Sequence, residues 1–448
     1  MSSQADVAAR VLMGDSLGFH IIFVLFGLTL PILVCWFEWL GIRRQDKRYL
    51  DTAHLWSKIM ALLVVTGVIS GTVIALQMSL VWPGILKFGG QVIGLPFMFE
   101  TYAFLIEAVF LALYITTWRN KKISPYLHLL FGLFVVLGST MSAYAITSVN
   151  AWMNLPTGFT FVHGKLTNIQ VFHAMFSETA LIEFFHSMPG YYIAACLFIA
   201  GIYGIKLLRQ RKYERLSARY KFDWVIIHKL LLFTAVSLAF SIATGDMTGK
   251  YLAHHEPAKL ATLEVVNRTE THAPFVFGGF ETANGQLTGP YIKVPDALSI
   301  MVGESPTTVI KGIEIIPAGQ RPPSYIRVLF NIKLTLITGL LIGLIAYFLL
   351  KYSRPKWLAS PLPLALIAVG SVVGIIIVEL GWMITEIGRQ PWAVHGYVTT
   401  AQALTTHKVD SFGYIFPTAF LLLFAVTILA VIRIVREHKA LSTNRGQL

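Results

Sequence analysis

The stretch "PLPLALIAVGSVVGIIIVELGWMITEIGRQPW", residues 361–392, decides the fold. Up to Thr385 it holds one ionisable side chain, Glu379, in an apolar run long enough to cross a membrane. Glu386 then falls at the edge of the hydrocarbon and Arg389 just beyond it. A carboxylate there is expensive unless something compensates it, so Glu386 marks a functional position.

Eight further runs of this kind precede or follow it, near 17–41, 55–81, 94–118, 125–148, 186–208, 224–244, 327–351 and 412–435, the quoted stretch supplying 360–385. In lipid every backbone polar group must be satisfied within its own segment, so the runs are helices. The fold class is therefore all-α: a polytopic membrane protein with nine transmembrane helices. Composition agrees, with 55% hydrophobic and 13% charged residues, where a soluble domain carries about 25% charged. Cys35 and Cys196 both lie in apolar segments and read as core residues rather than a disulfide pair. The first fifteen residues are polar and the apolar run after them is too long for a signal peptide, so it reads as a true first span.

A formal charge of +13 would suit a nucleic-acid partner. That class is excluded because the basic residues cluster in short loops between spans. One set of loops holds Arg43, Arg44, Lys47 and Arg48, then Arg119, Lys121 and Lys122, then Lys206, Arg209, Arg211, Lys212, Arg215 and Arg219, then Lys351, Arg354 and Lys356. The tail adds Arg433, Arg436 and Lys439. The short loops of the other set are nearly bare, which places the N-terminus outside and the C-terminus in the cytoplasm. Two outer connections are long, 149–185 and 245–326, and the second is long enough to imply a function. The chain divides into spans one to six (1–244), an extracytoplasmic loop (245–326) and spans seven to nine (327–448).

Ionisable groups within spans are functional candidates: His20, Glu38, Lys58, Glu100, Glu107, His186, Glu379 and Glu386. Glu38 and Lys58 lie near cytoplasmic ends and read as side chains that snorkel to the interface. With the orientation above, His20, Glu100 and Glu107, His186 and Glu386 come from four helices to one depth near the outer face. Two imidazoles and a carboxylate at one depth suit metal or haem ligation. Glu100 and Glu107, seven residues apart, share a helix face and suit proton transfer.

Four motifs carry a resemblance. They are "EIGRQPW" (386–392), "FETYAFLIEAVF" (99–110), "SAYAITSVNAWMNLPTGF" (142–159) and "GDMTGKYLAHHEPAKLATLE" (245–264). In this order they resemble subunit I of the cytochrome bd-type quinol oxidases over nearly the whole chain. The resemblance implies two haem b groups and one haem d, or a third haem b. It makes His186 an axial ligand of the low-spin haem, and His20 and Glu386 ligands of the two high-spin haems, in either order. Trp382 would stand between low-spin and high-spin haems, and Arg327 and Arg389 near haem propionates. Lys259 and Glu264 match the Lys and Glu of the quinol loop, which lacks a long insertion here. Glu100 and Glu107 match the pair through which protons reach the oxygen site. Thr140, Ser142 and Ser148 are further members of that inward route, with Lys58 as its entry.

The activity implied is that of an electrogenic terminal oxidase of a bacterial or archaeal cytoplasmic membrane. Quinol is oxidised at the outer face and dioxygen is reduced to water with cytoplasmic protons, which separates charge without a pump. The resemblance also implies a second membrane subunit of similar size, subunit II, and small single-span subunits are common in the family. One position departs from the pattern. The family has R-x-M at the start of the seventh span, its Met the sixth ligand of the low-spin haem, and here Leu329 follows Arg327 and Val328. Met301, His254 or His255 would be replacements, or the haem would be five-coordinate, altered or lost. Three rivals follow: an oxidase with a non-quinol donor, one with haem b alone, and a haem-free proton-coupled transporter using His20, Glu100, Glu107 and Glu386.

Overall fold

The computed structural model describes residues 3–118, 120–210, 217–282, 286–405 and 412–444. Arg119, Arg211, Lys212 and Arg215 of the basic loops lie outside the described residues, as does the side chain of Lys439. In chain order the elements begin with α1 (Ser3–Arg44), α2 (Lys47–Val81), α3 (Pro83–Thr117) and α4 (Pro125–Asn154). A small hairpin, β1 (Thr160–Val162) and β2 (Lys165–Thr167), and a short α5 (Val171–Met175) lead to α6 (Glu178–Leu208) and α7 (Ala218–His255). Then come α8 (Pro257–Glu264), a hairpin of β3 (Phe275–Glu281) and β4 (Leu287–Val294), and α9 (Ala297–Gly303). The chain closes with α10 (Ile326–Ser353), α11 (Pro355–Leu358), α12 (Pro361–Gly388), β5 (Trp392–Val394), β6 (Val398–Thr399), α13 (Thr400–Ala403) and α14 (Phe412–Asn444). Among the described residues nine helices are long and apolar enough to cross a membrane, as the sequence predicts.

Local chemistry sets where these helices start. Ser177 and Ser217 cap α6 and α7, their hydroxyls accepting from the Ala180 and Tyr220 amides. Proline occupies the first turn of α3, α8, α11 and α12, where its missing N–H costs nothing. The helices overrun the apolar stretches that announce them. The Ser177 cap starts α6 eight residues before His186, so this imidazole sits two turns inside the helix instead of opening it. Helix α7 runs through 245 to His255 and stops where Pro257 begins α8. The long connections are thus built of hairpins and short helices. Both cysteines are buried and unpaired.

The chain divides into two compact units. One comprises residues 1–149, 158–175 and 401–448. In it α1 packs along α2, α14 lies against both, and α3 packs on α2 and α5. Glu38 corrects its sequence reading here. It does not snorkel; it is buried, its two oxygens held by Tyr114 Oη at 2.6 Å and His128 Nδ1 at 2.6 Å. His128 Nε2 continues to the Tyr114 carbonyl at 2.9 Å. A charge two turns from a helix end was close enough to reach the interface, but partners on α3 and α4 supplied an interior solution.

The other unit comprises 150–157 and 176–400. Its helices form a ring in which α6 neighbours α7 and α12, and α10 neighbours the same two. The tightest seam is α6 on α12. A Cβ at Gly374 would lie 2.8 Å from Ala194 Cα, and one at Gly201 would lie 2.6 Å from Ser371 Cβ, so small residues let the backbones touch. The helices are antiparallel. Gly374 opposite Ala194 and Val378 against Gly190 fix the register. One turn further, at about 3.6 residues per turn, Trp382 stands level with His186. Large apolar side chains such as Leu362, Leu366 and Val369 of α12 face outward, as lipid contact requires.

Replacing Glu38 by Ala leaves Tyr114 and His128 as buried groups without their acceptor, at about 1–3 kcal/mol each. The expected result is a lower melting temperature of the detergent-solubilised protein. An unchanged melting curve would show that the network does not hold this unit together.

Candidate functional site

In the first unit, α1 presents His20 to α2. Its Nδ1 lies 2.8 Å from Ser70 Oγ, and that hydroxyl donates its own hydrogen to the Gly67 carbonyl at 2.9 Å. With the hydroxyl hydrogen on that carbonyl, Ser70 accepts from Nδ1–H and the lone pair is on Nε2. Gly71 lies beside the ring, where a Cβ would stand 3.1 Å from Cε1. On α3, Glu107 is buried and Glu100 half-buried. Gly138 of α4 brings the backbones together there, since a Cβ on it would lie 2.8 Å from the Glu107 nitrogen. Thr140 and Ser148 donate to their own helix carbonyls, Val136 at 2.7 Å and Ala145 at 2.7 Å. Ser142 is buried and Lys58 half-buried.

In the second unit His186 repeats the His20 pattern. Its Nδ1 is 3.3 Å from Thr244 Oγ1, which donates to the Phe240 carbonyl at 3.0 Å. Nε2 again carries the lone pair, and a glycine, Gly245, again flanks the ring, its Cβ position 3.5 Å from Cε1. Trp382 Nε1 donates to Tyr191 Oη at 2.8 Å, tying α12 to α6 one turn from His186.

The end of α12 holds Glu386. A carboxylate in a last helical turn faces the negative end of the helix dipole, which needs a counter-charge. Arg389, the C-cap, supplies it: Nη2 donates to Oε2 at 2.5 Å, and Asn150 Nδ2 donates to Oε1. Arg389 Nη1 reaches Asn154 Oδ1 at 3.1 Å, and Asn154 Nδ2 donates to Glu183 Oε1 at 2.6 Å. Glu183, Asn150 and Asn154 were not singled out from the sequence. Glu183 precedes His186 by three residues, and both asparagines stand in the quoted 142–159 motif, so those signals existed. Ser70 and Thr244 left none, being 50 and 58 residues from their histidines.

Lys259 lies on α8, buried against α12, where a Cβ at Gly388 would stand 2.6 Å from its Cε. Its Nζ pairs with the buried Glu256 at 2.6 Å. Arg327, fully buried at the start of α10, acts as a clamp on the loop. It donates to the carbonyls of Leu263, Val276 (2.5 Å) and Gly278 (2.8 Å) and lies 3.6 Å from Glu264 Oε2. Asn331, one turn on, adds a bond to the Gly279 carbonyl at 2.7 Å. Glu264 is buried, and that burial pushes its carboxyl up to about 7, against the opposing effect of Arg327 and the Val276 N–H.

The donor set fits haem. Among the described residues no group of three or more His, Cys, Asp or Glu could cage a bare ion. A haem iron takes four ligands from the macrocycle and needs one or two from protein. His20 and His186 each offer an Nε2 with its second nitrogen fixed by a hydroxyl, the arrangement that orients metal-ligating imidazoles. Arg327 Nε and Arg389 Nε are buried without a partner among the described residues, as donors meant for an anionic propionate would be.

Fold and site define a polytopic helical membrane protein whose ionisable groups sit inside its helix bundles. Residues 8–439 match the family described as cytochrome bd terminal oxidase subunit I, and the chain belongs to that family. A Bacillus subtilis (strain 168) protein provisionally named cytochrome bd menaquinol oxidase subunit I is 32% identical over 96% of this chain and 97% of its own length. Cytochrome bd ubiquinol oxidase subunit 1 of the same organism is 28% identical over 89% of this chain and 86% of its own. The structure of bd oxidase from Geobacillus thermodenitrificans superposes with a TM-score of 0.89 at 33% identity, covering 97% of this chain and 98% of that one.

Arg327→Lys keeps the charge but loses the planar fork that holds three carbonyls. Limited proteolysis between Leu263 and Gly279 is expected to accelerate with helical content unchanged. Cleavage at the wild-type rate would show that the loop is held by other contacts.

Proposed function

We propose that this chain is the haem-carrying subunit I of a terminal quinol oxidase. The observation that carries the proposal is the pair of imidazoles, His20 and His186, each with its tautomer set so that Nε2 offers a lone pair. When bound, two haem b groups and one haem d, or a third haem b, supply the electron transfer and the reduction of dioxygen to water. His186 would hold the low-spin haem, and His20 and Glu386 the high-spin pair. Arg389 pairs with Glu386 and holds it in place, and its Nε–H, without a partner among the described residues, suits a propionate, as does that of Arg327. Trp382, level with His186, stands where electrons would leave the low-spin site.

Quinol would bind at the 245–326 loop, oxidised at the outer face. Glu264, titrating near neutrality, is suited to accept a proton from quinol, and Lys259 to orient its oxygen. Glu107 and Glu100 would bring cytoplasmic protons inward, with Thr140, Ser142 and Ser148 lending oxygen lone pairs and Lys58 at the entry. Protons would then leave outside and enter from inside, which separates charge without a pump; each charge moved across 100 mV stores about 2.3 kcal/mol. The setting would be a bacterial or archaeal cytoplasmic membrane. Subunit II would be the partner, and a small single-span subunit a further one. Relatives bear menaquinol and ubiquinol names, which supports a two-electron, two-proton quinol as the donor. Leu329 favours a second reading, an oxidase fed by another donor, and quinol-dependent oxygen uptake by the purified complex separates the two. Membership of the family speaks against the haem-free transporter.

A reduced-minus-oxidised spectrum with haem extraction is the primary measurement; a preparation without haem ends the proposal. For the donor side, Glu264 is protonated below about 7 and able to accept a proton above it. Quinol turnover should rise with pH through that value, and Glu264→Gln should lower turnover roughly tenfold or more and flatten the rise. A mutant with the wild-type profile would remove Glu264 from the reaction. Glu107→Gln should slow oxygen reduction while haem content is kept, and unchanged turnover would take it off the route.

A further inference from the structure

Position 329 is where the family pattern calls for a thioether, and it holds a leucine. Leu329 packs against Leu263, Ile326 and Ile384, an apolar cluster that gives it no ligand role. The same helix offers a donor one turn deeper. Lys333 follows by four residues, on the same face of α10. Its Nζ stands 3.1 Å from the position a Cβ would take on Gly381, so it lies against α12 where α12 has no side chain. A lysine in a span would ordinarily snorkel to the interface or find a carboxylate. Lys333 has neither an ion pair nor a side-chain hydrogen bond among the described residues. His186 lies within its electrostatic reach.

Level and side both agree. The register of α6 on α12 puts Gly381 at the level of His186 and Ser187, so the lysine amine reaches that level too. Two axial ligands approach one iron from opposite faces of the macrocycle. In the ring of α6, α7, α10 and α12, helices α6 and α10 are the diagonal pair, since each has α7 and α12 as its neighbours. The other candidates fit less well. Met301 packs at Gly249, one turn beyond the Gly245 that flanks His186, within the apolar cluster of α8 and α9. His254 and His255 are exposed at the end of α7, about 14 Å along the axis from Gly245.

We propose that Lys333 is the second axial ligand of the haem held by His186, its free amine taking the place of the missing thioether. The proposal rests on the assignment of His186 given above. The amine binds through its nitrogen lone pair, so loading the site releases one proton to water. Replacing a thioether by a harder nitrogen donor removes the effect by which Met raises the potential of such haems, so this haem becomes a stronger reductant toward its acceptor.

The test is near-infrared magnetic circular dichroism and electron paramagnetic resonance of the ferric purified complex, wild type, Lys333→Met and Lys333→Ala, with haem content by pyridine haemochrome. The wild type should show the charge-transfer band of an imidazole–amine pair. Lys333→Met should move that band to the imidazole–thioether position. Lys333→Ala should turn the low-spin haem high-spin and let it bind carbon monoxide when reduced. A wild-type imidazole–thioether or five-coordinate signature, or a low-spin signal indifferent to both variants, overturns the proposal. The wild-type band reports the ligand even where a variant fails to assemble. If His186→Ala loses no haem relative to wild type, the assignment of His186 has failed; if it does and Lys333 is without effect, the ligand inference alone has failed.

Discussion

The contact on which the second unit depends is backbone against backbone, α6 on α12. Water cannot drive two apolar helices together in lipid, so close packing must. Gly374 against the Ala194 backbone and Gly201 against the small side chain of Ser371 provide it. This seam is also a ruler. Because the helices touch at fixed residues and run antiparallel, every group on one has a defined level on the other. His186, Trp382 and Gly381 share a level because of it, and the bond from Trp382 to Tyr191 closes the seam at that end.

Charge is the second constraint, and the two arginines meet it differently. Arg389 stays local, compensating the carboxylate three residues earlier and passing hydrogen bonds to Asn154 and through it to Glu183. Arg327 works at long range in sequence, gathering carbonyls from Leu263 to Gly278 onto the first turn of α10. Gly278 lets β3 and β4 close beside that clamp, since its φ is +76° and a Cβ would lie 2.6 Å from the Pro290 carbonyl oxygen. A loop that would be irregular on its own is thereby fastened to a membrane helix.

Much of this was legible in the sequence. Apolar run length gives nine spans because lipid leaves the backbone few alternatives, and Glu386, His20 and His186 stand out because charge and imidazole are rare there. Helix ends were less legible. They depend on caps such as Ser177, which extended α6 past its apolar stretch and set His186 two turns inside the helix. Glu38 was misread because proximity to an interface says nothing about what neighbouring helices offer. Lys333 was passed over within a span, as the role proposed for it depends on Gly381, a position on α12 without a side chain. The hydroxyl partners of the histidines are invisible to any local pattern.

Those hydroxyls have a further effect. Ser70 and Thr244 spend their hydrogens on carbonyls of their own helices, so their oxygens have only lone pairs to offer the imidazoles. The tautomer of each histidine is thus written by backbone geometry. No cofactor is needed to select it, and no side chain must reorient for Nε2 to be available. Under the haem assignment proposed above, folding alone would leave each Nε2 turned for its iron, and loading would ask no rearrangement of these two side chains.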